Sequence, residues 1–200
     1  MGAHNNISDY FDFSKLNNLT PAKGRVLISE PFVNDDYFTK SVILLCDYKE
    51  EGAFGFVLNN YIDQPINEII DDFSDFDTKI SIGGPVETNL LFFIHTRPDV
   101  IDDSIEILPG LFMGGQFSQI KELVESDELK NNEIKFFLGY SGWDKGQLDD
   151  EVANNSWFVA NVSTETLMNY HGDDIWQKLL ESMGAKHKVI ATFPNNPHLN

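Results

Sequence analysis

The sequence predicts a single α+β domain, and three observations carry that reading. Strand-like apolar runs outnumber amphipathic helical stretches. The strands arrive in clusters instead of alternating strictly with helices, which argues against a doubly wound parallel sheet. Two hundred residues with 42% hydrophobic content and 16 phenylalanines supply one packed core without a disulfide or metal staple.

Taken in order, residues 1–20 read as an N-terminal extension, within which residues 10–16 (Tyr-Phe-Asp-Phe-Ser-Lys-Leu) suit a short helix that packs on the domain or on a partner; residues 21–200 form the domain. Strands are expected over residues 25–29, 42–47 and 54–58, the last two joined by a polar Lys49-Glu50-Glu51-Gly52 turn into a hairpin. A helix from Pro65 places Ile66, Ile69, Ile70 and Phe73 on one face, with Asp63 as its N-cap. Residues 79–83 and 90–96 read as strands on either side of Gly83-Gly84-Pro85, and residues 104–108 and 111–114 as a hairpin around Pro109-Gly110. Phe117, Ile120, Leu123 and Val124 fall at helical spacing. Residues 134–138 read as a buried strand ending at a glycine-rich turn, followed by a helix bearing Leu148, Val152 and Asn155. Residues 157–162 form another strand, and a last helix, capped by Asp173 and stopped by Gly184, turns Ile175, Trp176, Leu179, Leu180 and Met183 inward.

Charge excludes one class of function. Thirty-two acidic against 14 basic residues give a net charge of −18, and Arg25 and Arg97 are the only arginines, so little is available to neutralise a phosphate backbone. Direct nucleic-acid binding is not expected. Cys46 sits inside Val42-Ile43-Leu44-Leu45 and reads as a small buried apolar residue. The histidines stand apart at positions 4, 95, 171, 187 and 198, and the acidic runs lack the spacing of a calcium loop, so no metal or cofactor is expected and the acids read as solvated faces. The N-terminus lacks a cationic start and an apolar h-region, and no apolar run approaches the roughly 18 residues of a membrane span, so the expected location is the cytoplasm, away from membranes.

The densest motif is Gly139-Tyr140-Ser141-Gly142-Trp143-Asp144-Lys145-Gly146-Gln147-Leu148. Glycines let bare backbone approach a ligand, and an indole beside them offers apolar area with one N–H. Gly-Tyr-Ser-Gly-Trp falls one glycine short of a G-x-S-x-G nucleophile elbow, and Asp149 or Asp150 with His171 would complete a Ser–Asp–His order, although acids one turn beyond the serine are poorly placed to orient that imidazole. A structural turn or ligand cradle is the other reading.

This motif resembles the signature of the AlgH/YqgE family of small bacterial proteins, in which a Gly-Tyr-x-Gly-Trp-x-x-Gly-Gln-Leu block precedes an acidic helix and an Asn-x-Trp, here Asn155-Ser156-Trp157. Further blocks agree in order: Gly24-Arg25-Val26-Leu27-Ile28, Phe38-Thr39-Lys40-Ser41-Val42, Gly52-Ala53-Phe54-Gly55-Phe56-Val57-Leu58-Asn59, Gly83-Gly84-Pro85-Val86 and the strand ending in His95. The resemblance runs from about Pro21 to Gly184. It implies a strand-rich mixed sheet bent into a partial barrel with helices outside, in a family often labelled transcriptional regulators. The chain departs from the family pattern at Asp36, Lys40, Tyr48 and Asn60-Tyr61, mostly at basic positions, and lysine does not reproduce the bidentate anion grip of arginine.

Two functional classes follow. The first is a non-enzymatic binding or regulatory module for a small molecule or a protein, with a site built from Asn59, Gly83, Gly84, Pro85, His95, Ser141, Gly142, Trp143, Gly146 and Gln147, and including indirect transcriptional regulation. The second is a small hydrolase or transferase that uses His95 or Ser141. The first requires a concave, partly solvent-accessible pocket that touches at least two of three segments: residues 141–147, His95 and Gly84.

Overall fold

The computed structural model describes residues 19–193 other than 34, 36, 171 and 173. The expected helix over residues 10–16, His171 of the Ser–Asp–His arrangement and the Asp173 cap lie outside the described residues.

Apolar runs too continuous to alternate form strands buried on both faces. In β1 (Val26–Ser29) and β2 (Val42–Lys49), Val26, Ile28, Val42 and Leu44 enter one core while Leu27, Ile43 and Leu45 enter another across the sheet. The expected hairpin forms, with β2 pairing antiparallel to β3 (Gly52–Val57). After short β4 (Tyr61–Ile62) comes α1, which spans only Ile66–Ile69. Its N-cap is Pro65, not Asp63, and no side chain bonds the first turn. Strands β5 (Ile80–Ile82) and β6 (Val86–His95) follow, then the expected hairpin of β7 (Ile105–Leu108) and β8 (Leu111–Met113), and α2 (Phe117–Glu125). Next are β9 (Ile134–Asp144), α3 (Gln147–Ala153) and β10 (Trp157–Ala160). The chain continues through α4 (Thr164–Asn169), α5 (Ile175–Ser182) and α6 (Ala185–Ala191), and Gly184, at φ 114°, separates the last two. Helices α4 and α6 are additions to the elements expected from the sequence.

The strands join in one sheet of order β10-β1-β2-β3-β9-β6-β8-β7, with β5 parallel to β9 and carrying β4. The sheet is not closed into a barrel: β10 and β7 are its ends. Helices cover both faces. On one, α4, α5 and α6 bury Leu167, Trp176, Leu180 and Ile190 against Val26, Leu44 and Phe137, and the Trp176 indole donates to the Ser29 carbonyl at 2.8 Å. On the other, α1 and α2 pack Ile66, Ile120 and Leu123 on Ile134 and Phe136, while α3 lays Leu148 beside Trp143 and Trp157. The molecule is an α+β domain.

The largest departure from expectation lies in β9, which does not end at Leu138 but runs on through the signature to Asp144. Its alternation is broken by Gly139, whose φ of +67° makes a left-handed bulge. Upstream, Phe137 points toward the core that contains Trp176; downstream that direction passes to Tyr140, and Trp143 faces the α3 side. A one-residue shift of phase makes a continuous strand look like a strand followed by a turn.

Candidate functional site

The reason for so many glycines is a crossing of two backbones. Between β5 and β6 the chain passes over β9 from one edge to the other. The Gly83 N–H donates to the Leu138 carbonyl at 2.8 Å, and the Gly83 carbonyl accepts from the Val57 N–H at 2.9 Å. A Cβ on Gly83 would stand 2.3 Å from the Gly139 carbonyl oxygen, and one on Gly84, at φ +153°, 2.4 Å from the Ser141 nitrogen. Side chains there would collide with backbone, which cannot move aside.

Ser141 is sealed into this crossing, 1% exposed, with its hydroxyl donating to the Gly83 carbonyl at 3.0 Å. It lies within a strand and not on an exposed strand-to-helix elbow, so the geometry that activates a serine nucleophile is absent. Trp143, 7% exposed, faces the same side as Ser141. Its indole N–H donates to Glu151 Oε2 at 2.8 Å, and Trp157 donates to the same oxygen at 2.8 Å. Gln147 donates to Glu151 Oε1 at 2.9 Å and accepts from the Asp144 N–H at 3.0 Å. Glu151 was expected on a solvated acidic face; instead it ties two indoles and the first turn of α3 together. Helical spacing offered the signal, because Gln147 and Glu151 are four residues apart and flank inward-facing Leu148.

His95 closes the opposite end of β6, paired with Ile134. Seven residues along β9 separate that point from Ser141, roughly 20 Å at strand rise. The ring is 0% exposed. Its Nδ1 accepts from the Arg97 N–H at 3.1 Å, which leaves Nε2 as the protonated nitrogen donating to the Gly114 carbonyl at 3.1 Å. Burial pushes its pKa below the ordinary value, against a smaller upward pull from the Gly114 bond and Asp99. Asn59 is also committed to backbone: its carbonyl accepts from the Val42 N–H and its amide donates to the Lys40 carbonyl, each at 2.9 Å. Gly146 makes the left-handed N-cap of α3 at φ +77°.

The ten candidate positions therefore divide. Gly83, Gly84 and Ser141 come together, Pro85 leads from them into β6, and Gly142, Trp143, Gly146 and Gln147 continue along β9 into α3; Asn59 lies between Val57 and Asn60, which bond Gly83 and Ile82, but turns its side chain to Val42 and Lys40, and His95 is at the far end of β6. No single surface holds all of them.

One concave surface does meet the signature. A groove of about 690 Å³, widely open to solvent, runs beside β9 on the face opposite Ser141 and Trp157, and Gly142, Trp143, Asp144 and Gln147 border it. Its floor is Phe54, Phe92 and Tyr140, whose rings meet edge-on, with centroids 6.0 Å apart for Phe54 and Tyr140 and 5.7 Å for Phe92 and Tyr140. Gly142 sits directly across from Phe54 in the β3–β9 pairing. Asp47, Glu51 and Asp144 stand on the rim with Lys49, which is held by Asp47 at 2.6 Å. Nothing in the spacing of Phe54, Phe92 and these rim residues marks them as one site, since they come from separate strands. Among the described residues no cluster of three or more histidine, cysteine, aspartate or glutamate side chains is arranged to hold a metal ion, and no helix is long and apolar enough to cross a membrane.

Comparison with known proteins places this architecture in a family. A protein of Parabacteroides distasonis named UPF0301 is 39% identical over 186 residues, 92% of this chain and 94% of its own length. A Bacteroides thetaiotaomicron protein of the same name is 39% identical over 194 residues, covering 96% and 98%. Two solved structures share the fold at lower identity: a crystal structure of a Corynebacterium diphtheriae protein (TM-score 0.75, 23% identity, 92% of this chain and 96% of that one) and the solution structure of the AlgH protein from Pseudomonas aeruginosa (TM-score 0.68, 22% identity, 89% and 98%). The family model described as AlgH-like, DUF179, matches residues 26–188, and the chain belongs to that family.

Proposed function

We propose that this protein is a non-enzymatic binding module whose ligand lies in the groove over Phe54, Phe92 and Tyr140, and that any regulatory role works through that ligand and not through contact with nucleic acid. Gly142 is the observation that carries the reading. Unlike Gly84, Gly139 and Gly146, it has an ordinary φ, and a Cβ there would meet only side chains: Tyr140 Cε2 at 3.3 Å and Cδ2 at 3.8 Å, and Val86 Cγ2 at 3.9 Å. A side chain at this position has a ring edge to displace and not the main chain. What glycine does there is leave the Tyr140 ring and the space beside Phe54 uncovered, and bare aromatic floor is the usual lining of a binding site.

Two further observations support the reading. The side chains proposed for catalysis, His95 and Ser141, are buried with their polar atoms bonded to the protein itself. Of the two arginines, Arg97 is ion-paired with Asp99 and Glu133, while Arg25 hydrogen-bonds the uncharged Thr20 and Asn161, so one guanidinium at most is left to meet phosphate on a chain of net charge −18. A cytoplasmic location belongs to the same proposal.

The test is a fragment screen by amide NMR on the full chain. Binders should shift resonances of Gly142, Asp144 and Gln147 while leaving His95 and Asn59 in place. Gly142→Leu should abolish those shifts without unfolding the protein. Fragments that cluster at His95 or bypass the groove would contradict the reading.

A further inference from the structure

Resting on the groove assigned above, we infer that its natural occupant is an extended peptide segment of another protein, carrying an apolar or aromatic side chain flanked by lysine or arginine. Shape makes the first argument. The groove is an open trough, whereas a small ligand is ordinarily held by a cavity that covers most of its surface. So open a surface leaves room for a chain to lie across it.

Charge makes the second. Lys49 is paired with Asp47, and nearby Lys145 with Glu50, which removes both neighbouring cations from the rim. Glu51 and Asp144 are exposed and have no ion-pair partner among the described residues. An aromatic floor whose rim carries Asp47, Glu51 and Asp144 against the single ammonium of Lys49 matches an apolar anchor with basic neighbours, and a chain of net charge −18 draws such a segment in from a distance.

Strand pairing makes the third. Strand β6 pairs with β9 only as far as Tyr140, so among the described residues 141–144 have β3 as their sole strand neighbour. An extended segment lying in the trough therefore runs beside a strand edge, the arrangement in which alternate side chains drop into pockets. The chain's own aromatic segment, Tyr10-Phe11-Asp12-Phe13, carries an aspartate where the rim calls for a cation and is a poorer match in charge.

The probe is a fluorescein-labelled pentapeptide, Lys-Phe-Thr-Val-Lys, titrated by anisotropy into the full chain. Two control peptides accompany it: Glu-Phe-Thr-Val-Glu reverses the charge, and Lys-Ser-Thr-Ser-Lys removes the anchors. Each control should bind at least about tenfold more weakly, and affinity for the probe should fall as salt screens the rim. The double variant Glu51→Lys, Asp144→Lys alters only exposed side chains and should reverse the preference toward the glutamate peptide. Equal binding of all three peptides would overturn the inference. Fragment shifts at Gly142 with no peptide binding would overturn it too, while leaving the groove as a small-molecule site. Probe binding that appears only after Tyr10, Phe11 and Phe13 are replaced by serine would show that the chain's own segment is the occupant, and would equally overturn it.

Discussion

Between Tyr140 and Asp144 the two faces of β9 are built to different specifications. The face that carries Ser141 and Trp143 is closed, with its polar atoms bonded to Gly83 and Glu151 and its indole packed against Trp157. The face that carries Tyr140, Gly142 and Asp144 is open, an aromatic floor with acids at its edge. Because side chains of a strand alternate, adjacent letters of one motif serve unrelated ends. Serine, tryptophan and the outer glycines hold the fold; tyrosine, the middle glycine and aspartate face the groove.

This contrast breaks most severely at the crossing. Gly84→Ala and Gly139→Ala each set a Cβ against backbone atoms at positive φ, and each should cost about 3 kcal/mol or more, a large share of the stability of an ordinary domain. Urea melts of the soluble fraction check this. The next largest effect belongs to Glu151→Ala, which takes the acceptor from two indole N–H groups; roughly 2–4 kcal/mol should be lost, with Glu151→Gln recovering part of it.

A pH series tests His95. Its folded pKa is lowered by burial, so the unfolded chain takes up the proton first as pH falls. The resulting stability is fully present above the ordinary histidine value of 6.5 and should decline below it. The difference between wild type and His95→Gln isolates this from the many carboxylates; a difference that stays constant from pH 8 to about pH 5 would contradict the buried, neutral assignment. Smallest is Ser141→Ala. The Gly83 carbonyl keeps its bond from the Val57 N–H, so the loss should be about 1 kcal/mol, with groove binding unchanged. A loss of ligand binding in Ser141→Ala would mean that the two faces are coupled.

Much of the fold was legible, for a physical reason. Runs such as Val42-Ile43-Leu44-Leu45 are apolar on both faces because they sit in the middle of a sheet covered on both sides, and the stripe of Ile120 and Leu123 marks α2 by its spacing. Continuation of β9 was not legible, since the bulge at Gly139 shifts the alternation on which strand assignment depends. Helix α1 is shorter than its apolar spacing suggests because Ile70 and Phe73 pack in the same core without extending the helix. The glycines drew attention to the signature, yet their differing causes depend on what each absent Cβ would meet, which is a property of neighbours distant in sequence. Phe54, Phe92 and Tyr140 belong to separate strands, and only the pairing of β3 and β6 with β9 brings them together.

The central claim is that Gly142 is glycine for the sake of the groove, and its most direct test is the unfolding free energy of Gly142→Ala measured beside Gly139→Ala. A methyl at 142 must displace the half-buried Tyr140 ring by only a few tenths of an ångström, and alanine in a strand regains part of the backbone entropy that glycine forfeits. The account predicts a change within about 1 kcal/mol of wild type for Gly142→Ala, against about 3 kcal/mol or more lost in Gly139→Ala. A loss at Gly142 as large as that at Gly139 would make all of these glycines folding elements and would remove the argument for a ligand in the groove.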